Sequence, residues 1–203
     1  MRITQAAAAL LLMAALSGCG GMASAPPGSG TAAGGRQPTP VAVSAEQGGR
    51  FIGLTGPRRQ HAEPFLGVPG TNFYTLRTWI DRQSGETVHQ LYVADSYAGP
   101  PRDWNTARDA QGRPLRFIAI GRNEITCQPG CSYAEEFAAA IPEPELRNAT
   151  GGLTVTFAAR SGAQKTIAMP GELVRAQVTA LDRVRTGLAT ASAAPTATAP
   201  PRP

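Results

Sequence analysis

Two neighbouring segments of the chain have the composition of β-strands. Residues 72–81 and 87–97 are rich in Tyr, Trp, Thr, Val and Ile, and a serine–glycine pair, residues 84–85, lies between them. β-branched and aromatic side chains favour extended backbone, whereas serine and glycine favour a turn. The pattern therefore predicts an antiparallel hairpin.

The clearest alternation of apolar and small polar residues lies farther along the chain. Leu153, Val155 and Phe157 alternate with threonine and alanine, and glycines flank the run on both sides. A strand that buries one face shows this period of two. Residues 164–169 supply the returning strand, so the pattern predicts a second hairpin.

Two further strands are expected between these hairpins. Residues 114–125 contain a run of apolar side chains, Ile118 and Ile120 among them, which predicts a buried strand. Residues 131–141 form the next predicted strand, and they place Glu135 on the same face as Phe137.

One helix is expected, over residues 171–185. Glu172 lies in its first turn and arginines lie in its last, an arrangement that is favourable with the helix dipole. An apolar stripe at helical spacing is formed by Val174, Val178, Leu181 and Val184. The predicted fold class is mainly β: an antiparallel sheet or β-sandwich with one C-terminal helix.

The first eighteen residues have the organisation of an export signal. Their apolar run, residues 6–16, has eleven residues, too few to cross the roughly 30 Å hydrocarbon layer as a helix. Residues 16–19 read Leu-Ser-Gly-Cys, which resembles the lipobox of bacterial lipoproteins. The resemblance implies cleavage after residue 18 and lipidation of Cys19, with an ordinary secretory signal as the alternative.

Residue 20 bears on which membrane would hold such a protein. In lipoproteins of enteric bacteria, Asp at this position favours retention in the inner membrane, and here the residue is Gly20. The resemblance therefore implies an outer-membrane protein that faces the periplasm. The expected partner of Cys19 is the membrane itself, through the attached lipid.

Composition divides the rest of the chain into three parts. Residues 19–50 are mostly Gly, Ala, Pro, Ser and Thr, and such a segment cannot bury enough apolar surface to offset its ordering entropy. We expect a disordered tether there, with a reach of about 30 Å. Residues 187–203 read as a disordered Ala/Thr/Pro tail, which leaves residues 51–186 as the globular domain.

The net charge of +5 does not indicate a nucleic-acid-binding protein. Residues 51–186 contain fifteen basic and thirteen acidic side chains, so the predicted domain carries only +2. A basic stripe with interleaved aromatic residues is missing from the sequence. The charge pattern favours a solvated surface of mixed sign.

Two cysteines remain after Cys19. Cys127 and Cys131 flank Gln-Pro-Gly, and proline followed by glycine suits a type II turn. In an oxidising compartment this arrangement favours a disulfide, which would stabilise the fold by about 2 kcal/mol. A redox-active pair and a metal site are alternatives, disfavoured because the spacing is Cys-x₃-Cys and no histidine lies nearby.

Catalytic motifs are not found in the sequence, so no enzyme activity, metal or cofactor is expected. The chain has two histidines and contains neither His-Glu-x-x-His nor Gly-x-Ser-x-Gly. His61 lies in a polar segment and is expected to be solvated. His89 lies in a predicted strand, where a surface position or a cross-strand pair is expected.

Three residues are candidates for a binding or structural role. Glu135, if it faces inward, needs an arginine or backbone N–H partner, and a bond that fixes its strand to the disulfide loop is the favoured interpretation. A functional carboxylate and a solvent-facing register are the alternatives. Tyr97 and Trp104 belong to an aromatic cluster that is expected to be mostly core. Trp104, in a segment rich in Pro, Asp and Asn, is the best candidate for an exposed, ligand-stacking ring.

The layout of residues 70–185 resembles a group of uncharacterised proteobacterial lipoproteins. The resemblance rests on the later hairpin and helix and on Trp104, Gly112, Leu115, Arg116, Phe117, Cys127, Cys131, Ser132, Tyr133, Ala134 and Glu135. It implies an envelope location and a β-rich domain, and it supplies no catalytic residues. The leading hypothesis is a non-enzymatic protein that binds an envelope protein or the cell wall. Alternatives are a module that binds glycans or small amphiphiles and, less favoured, a hydrolase.

Overall fold

The computed structural model describes residues 40–128 and 130–193, which form two antiparallel sheets and two α-helices. The predicted fold class is confirmed. The strands are β1 (Ala42–Glu46), β2 (Phe51–Thr55), β3 (Arg59–Gln60), β4 (Phe73–Asp81), β5 (Thr87–Ala98), β6 (Trp104–Asp109), β7 (Pro114–Leu115), β8 (Phe117–Thr126), β9 (Ser132–Ala140), β10 (Gly152–Ala159) and β11 (Gln164–Pro170). The helices are α1 (Glu143–Asn148) and α2 (Gly171–Ala193).

The larger sheet has the strand order β1-β2-β4-β5-β9-β8, with β3 paired to β4 beyond the end of β2. The smaller sheet has the order β11-β10-β6-β7. The inward side chains of the two sheets form the main apolar core, to which Leu91 and Phe137 contribute from the larger sheet and Val155 and Phe157 from the smaller. The alternation seen in the sequence is therefore the alternation between core and solvent.

The centre of the core is aromatic. The ring of Phe137 lies 5.1 Å from that of Trp104, 4.9 Å from that of Phe157 and 5.9 Å from that of Phe117. Tilted, stacked and edge-on pairs at such distances are favourable beyond the apolar area that they bury. These rings come from both sheets, so they hold the sandwich together.

Both predicted hairpins are confirmed. β4 pairs with β5 from Phe73↔Ala94 to Ile80↔Thr87, and β10 pairs with β11 from Gly152↔Pro170 to Ala158↔Gln164. The turn between β4 and β5 contains Gly85 at a φ of 74°, a conformation that glycine adopts without steric cost.

Helix α2 confirms the predicted apolar stripe and extends beyond the predicted end. Val174 and Leu181 are buried, and the helix contacts strands of both sheets. It continues to Ala193, so the segment expected to be a tail from residue 187 begins as helix. In the described residues, no helix is long and apolar enough to cross a membrane.

The single strand predicted over residues 114–125 is two strands in different sheets, β7 and β8, and most of β8 is exposed. Ile120 is 44% exposed and Ile125 is 47% exposed. The reason is sheet order: β8 is the outermost strand beside β9, and irregularities in the pairing occur at Ile120 and Ile125. Apolar composition identified the strand and could not reveal that it lies at the edge.

The fold also begins earlier than residue 51. Strand β1 lies inside the segment expected to be a tether, and it pairs with β2 from Ala42↔Thr55 to Glu46↔Phe51. The carboxylate of Glu46 accepts a hydrogen bond of 2.9 Å from the indole Nε1 of Trp79. The signal peptide and the tether up to residue 39 lie outside the described residues, as do residues 194–203.

The first residue of α2, Gly171, provides a test of how closely the helix packs against the chain before β10. A Cβ at Gly171 would clash with the carbonyl oxygen of Thr150 and lie 2.8 Å from the carbonyl carbon of Gly151. We expect Gly171→Ala to destabilise the protein by about 2 kcal/mol, because backbone must move to make room.

The matched control lies in the same helix. Nothing lies within 4 Å of a Cβ built at Gly187, so Gly187→Ala should stabilise by about 0.5–1 kcal/mol through helix propensity. Urea denaturation of both variants checks the pair. Equal effects of the two substitutions would contradict the packing described for α2.

Candidate functional site

The chain passes from the larger sheet to the smaller one between Ala98 and Trp104. Two prolines, residues 100 and 101, lie in this crossover, and proline has no N–H to donate. Asp103 has a φ of 56°, the left-handed conformation that is uncommon for residues other than glycine. The backbone N–H groups of Arg102, Asp103 and Trp104 point toward one acceptor.

That acceptor is the side chain of Glu135. The carboxylate is 5% exposed and lies on the inward face of β9, beside Phe137. One oxygen accepts the backbone N–H of Arg102 at 3.0 Å and that of Asp103 at 3.2 Å, and the other accepts the N–H of Trp104 at 3.3 Å. Successive N–H groups around a carboxylate form an anion nest, which offsets the cost of burying the charge.

The partner of Glu135 differs in one respect from the favoured interpretation of the sequence. The Glu135 side chain points inward, as the alternation along β9 suggested, and it is bound by backbone N–H groups. The bond, however, fixes β9 to the crossover between the sheets and not to the disulfide loop. The crossover is distant in sequence from β9, so local pattern could not identify it.

Tyr97 adds a fourth hydrogen bond to Glu135. Its hydroxyl donates to the carboxylate and accepts the N–H of Arg102 at 2.8 Å. The guanidinium of Arg102 lies over the Tyr97 ring, 3.9 Å from its centroid. Burial, followed by the bond to Glu135, raises the pKa of Tyr97, so the phenol remains a protonated donor.

A second buried carboxylate lies beside the first. Asp95 on β5 is directly opposite Glu135 on β9 and is 2% exposed. Adjacent like charges across a sheet repel each other, so both need compensation. Asp95 receives the Arg102 guanidinium at 2.8 Å, the Trp104 indole Nε1 at 3.1 Å and the Lys165 ammonium at 3.0 Å.

The prediction that Trp104 is exposed is wrong. The residue is 6% exposed, because residues 104–109 form a strand whose inward positions include Trp104 and Ala107. The sequence did not indicate this strand, because the residues around Trp104 are mostly polar. Tyr97 is also buried, at 5% exposure, so neither ring offers a face for stacking on a sugar.

Glu135 and Trp104 nevertheless line one cleft. It has a volume of about 550 Å³ and lies between β6 and the edge strand β8. Its apolar wall includes Trp104, Phe117 and Phe137, and its other lining residues are Asp103, Asn105, Ala119, Ile120, Gly121, Arg122, Glu135, Glu136 and Arg160. Arg122 pairs with Asp103 at the rim.

Lys165, the only lysine of the sequence, contacts both Asp95 and His61, which lies in the loop before β4. Its ammonium lies 3.1 Å from Nδ1 of His61, whose Nε2 lies 2.9 Å from the carbonyl oxygen of Ala94. The imidazole therefore donates to the carbonyl and accepts from the ammonium, which requires its neutral form. Burial lowers the pKa of His61. The expectation of a fully solvated His61 is wrong: the residue is half-buried.

His89 is buried and belongs to a separate polar chain. It lies opposite Thr78 in the β4–β5 pair, as expected for a cross-strand pair, and the two side chains are 2.9 Å apart at Nδ1. The amide of Gln177 donates to Thr78 at 3.0 Å, and Glu143 lies 3.5 Å from Nε2 of the imidazole. Burial lowers the pKa of His89, and Arg185 lowers the pKa of Glu143 to about 2.

The cysteines outside the signal region form a disulfide. Cys127 and Cys131 are joined at the end of the β8–β9 hairpin. Pro129, on which the predicted turn type depends, lies outside the described residues. The bond joins the C-terminal end of edge strand β8 to the start of β9, the only described strand with which β8 pairs.

Comparison with known proteins adds no assignment to this site. The chain matches no family model, and no curated protein or solved structure shows a significant match to it. In residues 40–128 and 130–193, no group of three His, Cys, Asp or Glu side chains is arranged to hold a metal ion. The role of the cleft is therefore inferred from its own residues and from the sequence.

The anion nest predicts a specific cost for Glu135→Gln. An amide supplies one acceptor oxygen and turns an NH₂ group toward backbone N–H donors, so buried donors lose their partner. We expect a loss of about 1–3 kcal/mol in the free energy of unfolding, measured by urea denaturation. Glu124→Gln, on the exposed part of β8, is the control and should change stability by less than about 0.5 kcal/mol.

The two histidines predict acid sensitivity. Their pKa values are lowered from 6.5 in the folded protein, so as the pH falls the unfolded chain binds protons first. Stability should therefore be fully present above pH 6.5 and decline below it, by up to about 1.4 kcal/mol per pH unit for each histidine.

Denaturation curves measured between pH 8 and pH 5.5 check this expectation. That range lies above the ordinary carboxyl pKa of 4.5, so Glu143 contributes little to the slope. The double variant His61→Gln/His89→Gln should flatten the dependence, whatever its stability at pH 8. A slope equal to that of the unaltered protein would refute the assignment.

Proposed function

We propose that this chain is a lipid-anchored cell-envelope protein whose domain binds another envelope component through the cleft between β6 and β8, without catalysing a reaction. Support for the anchor comes from the lipobox at residues 16–19. Gly20 favours the outer membrane, facing the periplasm. The disulfide between Cys127 and Cys131 fits an oxidising compartment.

The observation that supports a domain without catalysis is the state of the two carboxylates beside the cleft. Glu135 accepts bonds from Tyr97 and three backbone N–H groups, and Asp95 accepts three donors. General acid–base chemistry needs a group that can reach a substrate proton. These carboxylates are instead committed to holding the crossover, which favours a structural role for them.

What the cleft offers a partner is apolar surface with a charged margin. Phe117 and Ile120 supply apolar atoms, and Arg122 and Arg160 supply guanidinium groups. Arginine and aromatic residues are enriched at the centres of protein interfaces, where they contribute most of the binding free energy. A cleft of this composition fits a protein or wall partner.

A second candidate is favoured by the size of the cleft. About 550 Å³ lies in the range of small-molecule sites, roughly 300–1,000 Å³. A small amphiphile, with its chain on Phe117 and its anionic head near Arg160, fits this lining. A glycan fits less well, because Tyr97 and Trp104 are buried and do not present their rings.

Photo-crosslinking in intact cells tests the proposal. A photoreactive amino acid in place of Ile120, at the cleft, should give a reproducible product with an envelope protein or wall fragment. The control is the same amino acid in place of Gln83, which is exposed in the β4–β5 turn. A product with only the mass of a small amphiphile would favour the second candidate. Identical patterns from the two positions would refute binding at the cleft.

A further inference from the structure

The loop between β3 and β4 has an unusual composition for exposed chain. Residues 64–70 read Pro-Phe-Leu-Gly-Val-Pro-Gly and contain no charged side chain. Leu66 is 76% exposed and Val68 is 52% exposed. Connecting segments are usually polar, and exposed apolar segments often mark a surface that contacts a protein or a membrane.

The backbone of Leu66 makes the observation stronger. Its φ is 52°, in the left-handed region that is unfavourable for a leucine. A strained residue normally gains compensation from burial, and Leu66 has almost none within the domain. Contact with an apolar surface outside the domain would bury this exposed side chain favourably.

Internal hydrogen bonds hold the loop in shape. The N–H of Gly67 donates to the Pro64 carbonyl at 3.1 Å, and the N–H of Val68 donates to the Phe65 carbonyl at 3.0 Å. The hydroxyl of Thr71 accepts the N–H of Phe65 and donates to the Val68 carbonyl, both at 2.8 Å. Backbone groups that already have partners can enter an apolar medium at low cost.

The strand register shows which end of the domain carries this loop. Ala42, where the chain joins the larger sheet, pairs with Thr55, and the chain runs on from Thr55 toward the loop. Residues 59 and 60 then pair with the first two residues of β4, Tyr74 and Phe73. The loop and the N-terminal end of the described chain therefore lie toward the same end of the sheet.

Chain length connects this end of the domain to the lipid. Residues 20–39 separate Cys19 from the start of the described chain, and fully extended they span at most about 70 Å. A tether of limited length raises the effective concentration of the membrane at the end of the domain to which it is joined.

The charges beside the loop also suit a lipid surface. Arg58 and Arg59 precede it, and Glu63 lies between them and the loop. The guanidinium of Arg59 also lies 4.0 Å from the carboxylate of Glu172, in an exposed pair. The guanidinium of Arg58 lies over the Phe73 ring, 4.4 Å from its centroid. Apolar residues flanked by arginines match the acyl boundary and the anionic headgroups of a bilayer.

We infer that residues 64–70 form a membrane-contact loop that inserts Leu66 and Val68 into the bilayer to which Cys19 is anchored. This inference rests on the lipid anchor of the proposed function. The loop then fixes the orientation of the domain, so that the β4–β5 turn, about 27 Å away along β4, faces away from the lipid.

Fluorescence of the full mature chain tests this arrangement. The chain is reconstituted in vesicles of phosphatidylethanolamine and phosphatidylglycerol that contain no other protein. An environment-sensitive label is attached to Leu66→Cys or, as a second site, to Val68→Cys. Gln83→Cys in the β4–β5 turn is the control. The loop labels should shift to shorter wavelength and be quenched several-fold more by spin-labelled lipid than the control label.

Three results would overturn the inference, and they are distinguishable. If the mass of the mature chain shows lipid on Cys19 but the loop labels are quenched by aqueous iodide as strongly as the control, only the membrane contact fails. If the mass shows no lipid, the anchor in the proposed function fails as well. Protection of the labels in native membranes but not in protein-free vesicles would indicate a protein partner and also refute the lipid contact.

Discussion

The carboxylate of Glu135 and the three consecutive N–H groups that it binds are the constraint on which the sandwich depends. The chain must turn from one sheet to the other within a few residues, two of which are prolines without an N–H. Glu135 satisfies the donors that this turn leaves unpaired and thereby sets the start of β6. Trp104 then lies on Phe137, and the position of its ring determines one wall of the cleft.

Several polar side chains elsewhere in the domain are likewise bound by groups from distant segments. Asp95 is held by groups from β6, from β11 and from the crossover. Gln177 on α2 reaches the β4–β5 pair through Thr78, and α1 is tied to α2 by bonds from Arg185 to Glu143. The helices and sheets are therefore joined by directional bonds as well as by apolar packing, which favours one arrangement over its neighbours.

Local periodicity was sufficient to predict both hairpins, the apolar stripe of α2 and the inward direction of Glu135, because these depend on residues a few positions apart. It was insufficient for Trp104 and Ile120, whose exposure depends on which strand lies at an edge and which sheet covers it. His61 shows the same limit: its partner Lys165 is 104 positions away. Strand β1 was missed since its short side chains, AVSAE, resemble the Gly- and Ala-rich segment before it.

Lys165 has a consequence for the chemistry of the whole surface. It is the only lysine of the chain, and its ammonium is paired with Asp95, with 16% of the side chain exposed. The remaining basic side chains are guanidinium groups, which stay protonated and are poor nucleophiles at neutral pH. Neutral primary amines attack the carbonyl carbon of aldehydes, reducing sugars and acylating reagents. This domain thus presents such compounds with a surface whose cations are almost all guanidinium groups and whose single side-chain amine is enclosed.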